Sequence, residues 1–278
     1  MFEDILFRSL SSAMRIVSLQ PSITATLVAI GAQDHLVACT RYCKQLCPEV
    51  AHNGIAIVED TWSASASQII ALKPELVMTS VPYRMESLSE ILRAGVRVVA
   101  FAPRTLTDIY DDIRLIATLV SRIAEGTMLV RNFKEELAQT RELTATQPVQ
   151  RVYSEEWGKP MIASQRWVAE MIEAAGGAFI GEPGAQTTPE QIAKADPEVV
   201  LAAWCGAGDR VPLAKLAARE GWTNMAAVRD RRLFCISDEL LNTPAHTLAL
   251  GLRAIRWALH PNLFWRPAGV RSIDDDSQ

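Results

Sequence analysis

The chain has 278 residues, 49% of them hydrophobic and 22% charged, with a formal net charge of −4. That is enough apolar material for two separate cores, and without a dense Lys/Arg cluster it offers no surface for nucleic acid or an anionic membrane. The five cysteines are odd in number and show no paired framework, which fits a reducing compartment rather than a disulfide-stapled scaffold.

Residues 1–14, MFEDILFRSLSSAM, carry Glu3 and Asp4 where a secretory leader is basic, and they hold no long apolar run. They predict neither a signal peptide nor a membrane span, but a frayed extension of a cytoplasmic protein. A periplasmic or cell-surface location is the alternative if the true start lies elsewhere. The apolar run RIVSL (15–19) is followed by Gln20-Pro21-Ser22 and then by ITATLVAIGA at helical spacing, which predicts strand, loop and helix with Ser22 as N-cap and Gly31 as the stop.

The next segment, CTRYCKQLC (39–47), sets Cys39, Cys43 and Cys47 at every fourth position. On a helix that row shares one face but spans about 12 Å at 1.5 Å per residue, too far for one ion. It lacks the close pairs of structural zinc sites, and Pro48 argues for a loop or a broken turn. The thiols are therefore expected as small apolar residues in or beside a loop.

Strand and helix then alternate through ASQIIALKPELVMTS and SLSEILRAGVRVVAFAP, with apolar, unalternating strands. From Leu106 to about Thr146 only helical spacing appears, and the stretch 126–144 is expected as one rigid helix, because a flexible linker would be rich in Gly and Ser. The pattern then restarts with RVYSEEW, WVAEMIEAAGG and PEQIAKADPEVVLAAW. QIIALKPELVM (68–78) and QIAKADPEVVL (191–201) match at five positions, and RIVS (15–18) matches RVYS (151–154). The fold class expected is α/β, with two similar lobes of mostly parallel sheet joined by a single long backbone helix and a ligand cleft between the lobes. The boundaries are 15–104, linking helices 105–147, a second lobe 148–268 and a disordered tail 269–278.

The blocks RIVSLQPSITATLVAIGAQDHLVACTRYC, TW…ALKPELV, MIASQRWVAEMIEAAGG and REGWTNMAAVRDRRLFCI, together with the central helix, resemble the class III periplasmic binding proteins of the vitamin B12, haem and iron-siderophore type. The resemblance covers roughly residues 15–260 and implies a substrate-binding protein of ABC-transporter type that takes cobalamin or another corrinoid, haem or an iron chelate, without a required cofactor. It also implies that Tyr42 and Trp62 stand where B12-binding members contact the corrin, and that Cys43 matches a cysteine found in many relatives.

In open α/β sheets ligands sit outside the carboxyl ends of strands. The loops there supply Gln20, Pro21, Ser22, Tyr42, Cys43, Trp62, Tyr83, Arg104, Glu156, Trp157, Trp204, Cys205 and His246 as ligand-binding candidates, with Trp167 close by on a helix. Aromatic faces suit a macrocycle. Trp222 and Trp257, in helical or turn context, are assigned to packing.

Two departures from the resembled family stand out. Its transport members present an acid on each lobe to the permease, and the matching positions are Ser67 and Glu190, so one acid is absent and an ABC permease partner is in doubt. In NTPAHT (242–247) His246 replaces an arginine type, and a neutral imidazole can ligate a metal. A monomer is expected.

Two rival functions remain open. A cytoplasmic enzyme would use Glu155 and Glu156 as an acid–base pair, although adjacent strand residues face opposite sides, so at most one enters the cleft. An iron–sulfur or redox protein would use Cys39, Cys43, Cys47 and Cys205, with Cys43 and Cys205 as a pair across the cleft, either as soft ligands or as a redox latch.

Overall fold

The structure is a computed structural model that describes residues 13–52, 54–59, 65–80 and 85–277. The expected extension 1–14 therefore lies almost wholly outside the described residues, as do Trp62 and Tyr83. The chain divides into two compact units, residues 1–103 with 110–129, and residues 104–109 with 130–278.

The first unit holds a five-stranded, all-parallel sheet in the order β3-β2-β1-β4-β5, formed by β1 (Ile16–Ser18), β2 (Leu36–Thr40), β3 (Ala56–Val58), β4 (Leu76–Ser80) and β5 (Arg97–Phe101). Strands β1 and β4 are buried throughout, which is why their sequences are continuous apolar runs. Helix α1 (Pro21–Ala29) starts one residue before the expected cap Ser22. Gln20 is the N-cap and Pro21 occupies the first helical position, where its fixed φ and missing N–H cost nothing. The cysteine row is also more regular than expected. Cys39 ends in β2, Cys43 lies in a short helix α2 (Arg41–Leu46), and Cys47 is its C-cap ahead of Pro48. The unit continues with α3 (Ala66–Ala71) and α4 (Met85–Arg93).

Two helices carry the chain onward, α5 (Leu106–Leu119) and α6 (Ile123–Thr144). Helix α6 runs unbroken for 22 residues. Gly126 permits its close approach to α5, since a Cβ there would stand 2.4 Å from the Ala117 side chain.

The second unit has a mixed sheet in the order β11-β10-β9-β6-β7, with β8 also paired to β6. Its strands are β6 (Gln150–Gly158), β7 (Met161–Ala163), β8 (Gly177–Phe179), β9 (Val199–Ala202), β10 (Leu233–Ile236) and β11 (Val270–Ser272). Its helices are α7 (Arg166–Ala174), α8 (Pro189–Ala195), α9 (Leu213–Ala217), α10 (Ala226–Arg229), α11 (Asp238–Leu241) and α12 (Leu248–Leu259). The tail expected to be disordered from 269 onward is instead structured: β11 pairs antiparallel with β10 and Ile273 enters the core. A run of aspartates hid this, because VRSI just ahead of it supplies the apolar residues.

The repeat seen in the sequence is a repeat of structure. Ser65 and Thr188 cap α3 and α8 by accepting from the backbone N–H of Gln68 and Gln191. Both helices lead into a left-handed residue, Lys73 at φ 50° and Asp196 at φ 47°, followed by Pro and Glu. The guanidinium of Arg15 then donates to the Lys73 carbonyl and that of Arg151 to the Asp196 carbonyl, at 3.1 and 3.0 Å. Glu75 and Glu198 each accept from the backbone N–H of the corresponding arginine at 2.9 Å. One cap, one chain reversal and one arginine clasp thus set a central strand beside its parallel neighbour, β1 beside β4 and β6 beside β9.

Candidate functional site

In the first unit the strand order reverses about β1, and the carboxyl ends of β1 and β2 present Gln20-Pro21-Ser22 and Tyr42. The first three are half-buried, and the Gln20 amide donates to the Ser80 carbonyl at 3.2 Å. Tyr42 is 40% exposed, and the Arg41 guanidinium lies 4.7 Å from its ring centroid and donates to its hydroxyl. Cys43 does not line this surface. It is fully buried with Sγ 3.1 Å from Thr40 Oγ1, although burial is outweighed by hydrogen bonds from Cys39, Thr24 and Thr40, which lower its pKa to about 6. All five cysteines are free thiols, and among the described residues no three His, Cys, Asp or Glu side chains converge as a metal site.

Arg104 belongs to the second unit, is exposed, and starts α5: its N–H and that of Thr105 donate to the Asp108 carboxylate, holding that group below the usual carboxylate range. Trp167 was expected near the ligand and is corrected to the core. It is 7% exposed, and its indole donates to the Leu241 carbonyl at 2.8 Å, so a helix-borne Trp is consumed by packing.

The carboxyl end of β6 builds a hollow of ≈ 400 Å³ whose walls include Trp157, Gly158, Lys159, Trp204, Cys205 and Arg219. Alternation along β6 separates the two carboxylates, as expected. Glu155 turns inward with Tyr153 and is 0% exposed. Its Oε1 accepts from Trp204 Nε1 (2.9 Å) and Arg219 Nη2 (3.0 Å), and its Oε2 from Arg219 Nη1 (2.8 Å) and the Tyr153 hydroxyl (3.0 Å). With both oxygens doubly satisfied it has no lone pair free for acid–base work. Burial and then the Glu155 charge push the Tyr153 hydroxyl far up, so it stays a donor.

Glu156 faces the other way, accepting from Gln165 Nε2 at 2.8 Å and lying 3.8 Å from the Cys205 thiol. Desolvation, followed by the Glu156 and Asp238 carboxylates, pushes Cys205 up to about 12, so it is a thiol and not a thiolate ligand. The loop carrying Trp204 and Cys205 is pinned by Asp238, whose carboxylate accepts from the N–H groups of Gly206 and Gly208, both at 2.8 Å and both at positive φ. Asn242 ties it further, donating to the Ala203 carbonyl at 2.7 Å.

His246 is half-buried and is not a wall of this hollow. Burial holds its pKa down, so the ring is neutral near pH 7, and its Nδ1 is buried without a hydrogen-bond partner among the described residues. Ser67 and Glu190 are both exposed and occupy the same place in the repeat, the second residue of α3 and of α8.

Residues 16–240 match the family described as Periplasmic binding protein. The chain belongs to the periplasmic binding protein family. An uncharacterized ABC transporter substrate-binding lipoprotein of Bacillus subtilis is 24% identical over 90% of this chain and 81% of its own length. The vitamin B12-binding protein of Vibrio parahaemolyticus is 25% identical, covering 83% of each chain. A periplasmic heme binding protein from Pseudomonas aeruginosa has the same fold, with a TM-score of 0.81 at 20% identity over 93% of this chain and 97% of that one. The cytoplasmic location expected from residues 1–14 is corrected by these findings: a periplasmic family and a lipoprotein relative point outside the cytoplasm.

Missed in the sequence were the parts of this periplasmic binding protein that fix the hollow rather than line it. A Cβ on Gly158 would meet Trp204 Cζ2 at 2.6 Å, so the indole rests on bare backbone. Glycine inside the strand QRVYSEEWG was the available signal, since such a residue marks a close approach. Arg219 gave none, because its partner Glu155 lies far off in the chain.

One consequence is open to a pH measurement. Burial raises the Glu156 pKa, so the folded state keeps this proton to higher pH than the unfolded chain, and stability is lost as pH rises through the folded value. Glu156→Gln is expected to melt at or above the wild-type temperature at pH 7, with the difference vanishing below pH about 4, where both states of the wild type are protonated. A variant less stable by the same margin at every pH would show that the carboxylate is a net structural asset.

Proposed function

We propose that this protein is a non-catalytic receptor for a corrinoid, or a related metal chelate, of the substrate-binding kind used by ABC transporters. The observation that carries it is the hollow at the end of β6, walled by Trp157 and Trp204. Flat aromatic faces on a fixed frame bury much of a macrocycle at small entropic cost. The vitamin B12 relative supports a corrinoid. So does the chemistry of the second unit: the neutral amide of Gln165, which gives one N–H to Glu156, suits a carboxamide, while both terminal nitrogens of Arg219 are engaged by Glu155 and are not free for a propionate. Tyr42, and Trp62 outside the described residues, are assigned as further ligand contacts, Glu190 to permease docking, and His246 as a residue that would hold the metal of the chelate.

Titration with cobalamin, cobinamide and haem, followed by absorbance and equilibrium dialysis, tests the reading. A corrinoid is expected to be retained, and Trp204→Ala or Tyr42→Ala to weaken it by about 1–3 kcal/mol, with little change in folding stability for the exposed Tyr42. Haem bound far more tightly than either corrinoid would replace the ligand class. Visible spectra of the cobinamide complex that are the same for wild type and His246→Ala would remove the imidazole from the metal.

A further inference from the structure

We infer that Glu155 is a positioning residue, a buried carboxylate that never touches the ligand but fixes the Trp204 indole as a wall of the hollow. The inference rests on the reading of Trp204 as a ligand-facing residue. Glu155 is 0% exposed and uses all its accepting capacity on Trp204, Arg219 and Tyr153. Two of these three partners, Trp204 and Arg219, are themselves walls of the hollow.

The frame is closed on the remaining sides. Gly158 leaves no side chain under the Trp204 ring, which it would meet at 2.6 Å, so the ring lies against β6. The Arg219 guanidinium is held in turn by the Trp222 face at 4.5 Å.

Stability alone does not account for this carboxylate. A buried ion pair repays its desolvation poorly, and an apolar set of similar volume is often as stable. What the pair supplies that apolar residues cannot is a direction: an acceptor at one point, which selects one rotamer of a half-exposed indole. An indole fixed before the ligand arrives loses little freedom on binding, and that difference appears as affinity.

The test uses cobinamide as probe and three variants of the full chain. Glu155→Leu/Arg219→Met removes both charges together, so no unpaired ion is buried, but leaves the indole N–H without its acceptor. Trp204→Phe keeps a ring over Gly158 and leaves the Glu155–Arg219–Tyr153 set intact while deleting the N–H. Trp204→Ala deletes the wall and calibrates its worth. Affinity is read by absorbance titration, folding by thermal melting, and the state of the indole by its ¹⁵N–¹H resonance, which the two Trp204 variants assign.

The expected result is a loss of about tenfold in cobinamide affinity for Trp204→Ala. A comparable loss is expected for the double variant, a smaller one for Trp204→Phe, and in the double variant a broadened, fast-exchanging indole resonance with a melting temperature lowered far less than that of Arg219→Met alone. A double variant that melts lower yet binds cobinamide as the wild type does would overturn the inference and leave Glu155 as part of the fold only. Should the double variant not fold, Trp204→Phe decides: wild-type affinity without the N–H sinks the positioning role. Wild-type affinity in Trp204→Ala is a separate failure, that of the hollow as the ligand site.

Discussion

Arg219→Met is expected to lower the stability of the protein by about 3–5 kcal/mol, seen as a shifted midpoint in urea at constant ionic strength. The magnitude follows from what remains behind. Glu155 is wholly enclosed, and the Arg219 side chain that neutralises it through two hydrogen bonds is only 16% exposed. Removing Arg219 strands a charge that the two remaining donors, Trp204 and Tyr153, cannot compensate, whereas removing both charges leaves only those two neutral donors without their acceptor. Adding Glu155→Leu to the arginine variant should therefore recover most of the loss, although it deletes one more polar group. A single variant within about 1 kcal/mol of wild type would mean that water reaches Glu155 and that the pair behaves as a surface salt bridge. The other ion pairs offer the contrast: Arg131 with Glu135 on α6, both more than half exposed, should contribute next to nothing.

The frame of the molecule was legible because it is written in local chemistry that is used twice. The pairs RIVS and RVYS open the two central strands, β1 and β6, and the helix before each Lys-Pro-Glu or Asp-Pro-Glu turn ends where proline requires. The opposite facing of Glu155 and Glu156 was legible for the same reason, since period two is a property of the backbone. What the sequence did not disclose depends on distant partners. Trp167 and Trp204 are the same residue type, each near a strand end. One donates to the Leu241 carbonyl at the end of α11 and is buried, while the other donates to Glu155 and lines the hollow. No local pattern separates them, because the acceptor of each lies 74 and 49 residues away. Cys43 illustrates the converse: its loop was placed at the right strand end, but its side chain turns back to Thr40 and the Ser18 carbonyl and not outward.

The second large effect is expected from Trp222→Ala, a loss of about 3–5 kcal/mol, as for other fully enclosed tryptophans. Trp222 is 0% exposed and sits in the core cluster of the second unit with Tyr153, Val200, Leu216 and Leu233. Its ring meets Tyr153 edge-on at 6.2 Å and 88°, its indole N–H donates to the Pro189 carbonyl at 3.1 Å, and its face carries the Arg219 guanidinium. Truncation therefore opens a cavity, leaves the Pro189 carbonyl short of a donor and loosens the cation that neutralises Glu155. The three losses are not independent. In a cycle of Trp222→Ala, Arg219→Met and the double variant, the two residues should couple by about 0.5–3 kcal/mol, because once Trp222 is gone the arginine is already less well held and its removal costs less. Strict additivity would show that Arg219 is held by Glu155 alone. The stack on Trp222 would then be a neighbour of the site and not part of what fixes it, and the support of the hollow would end at the carboxylate.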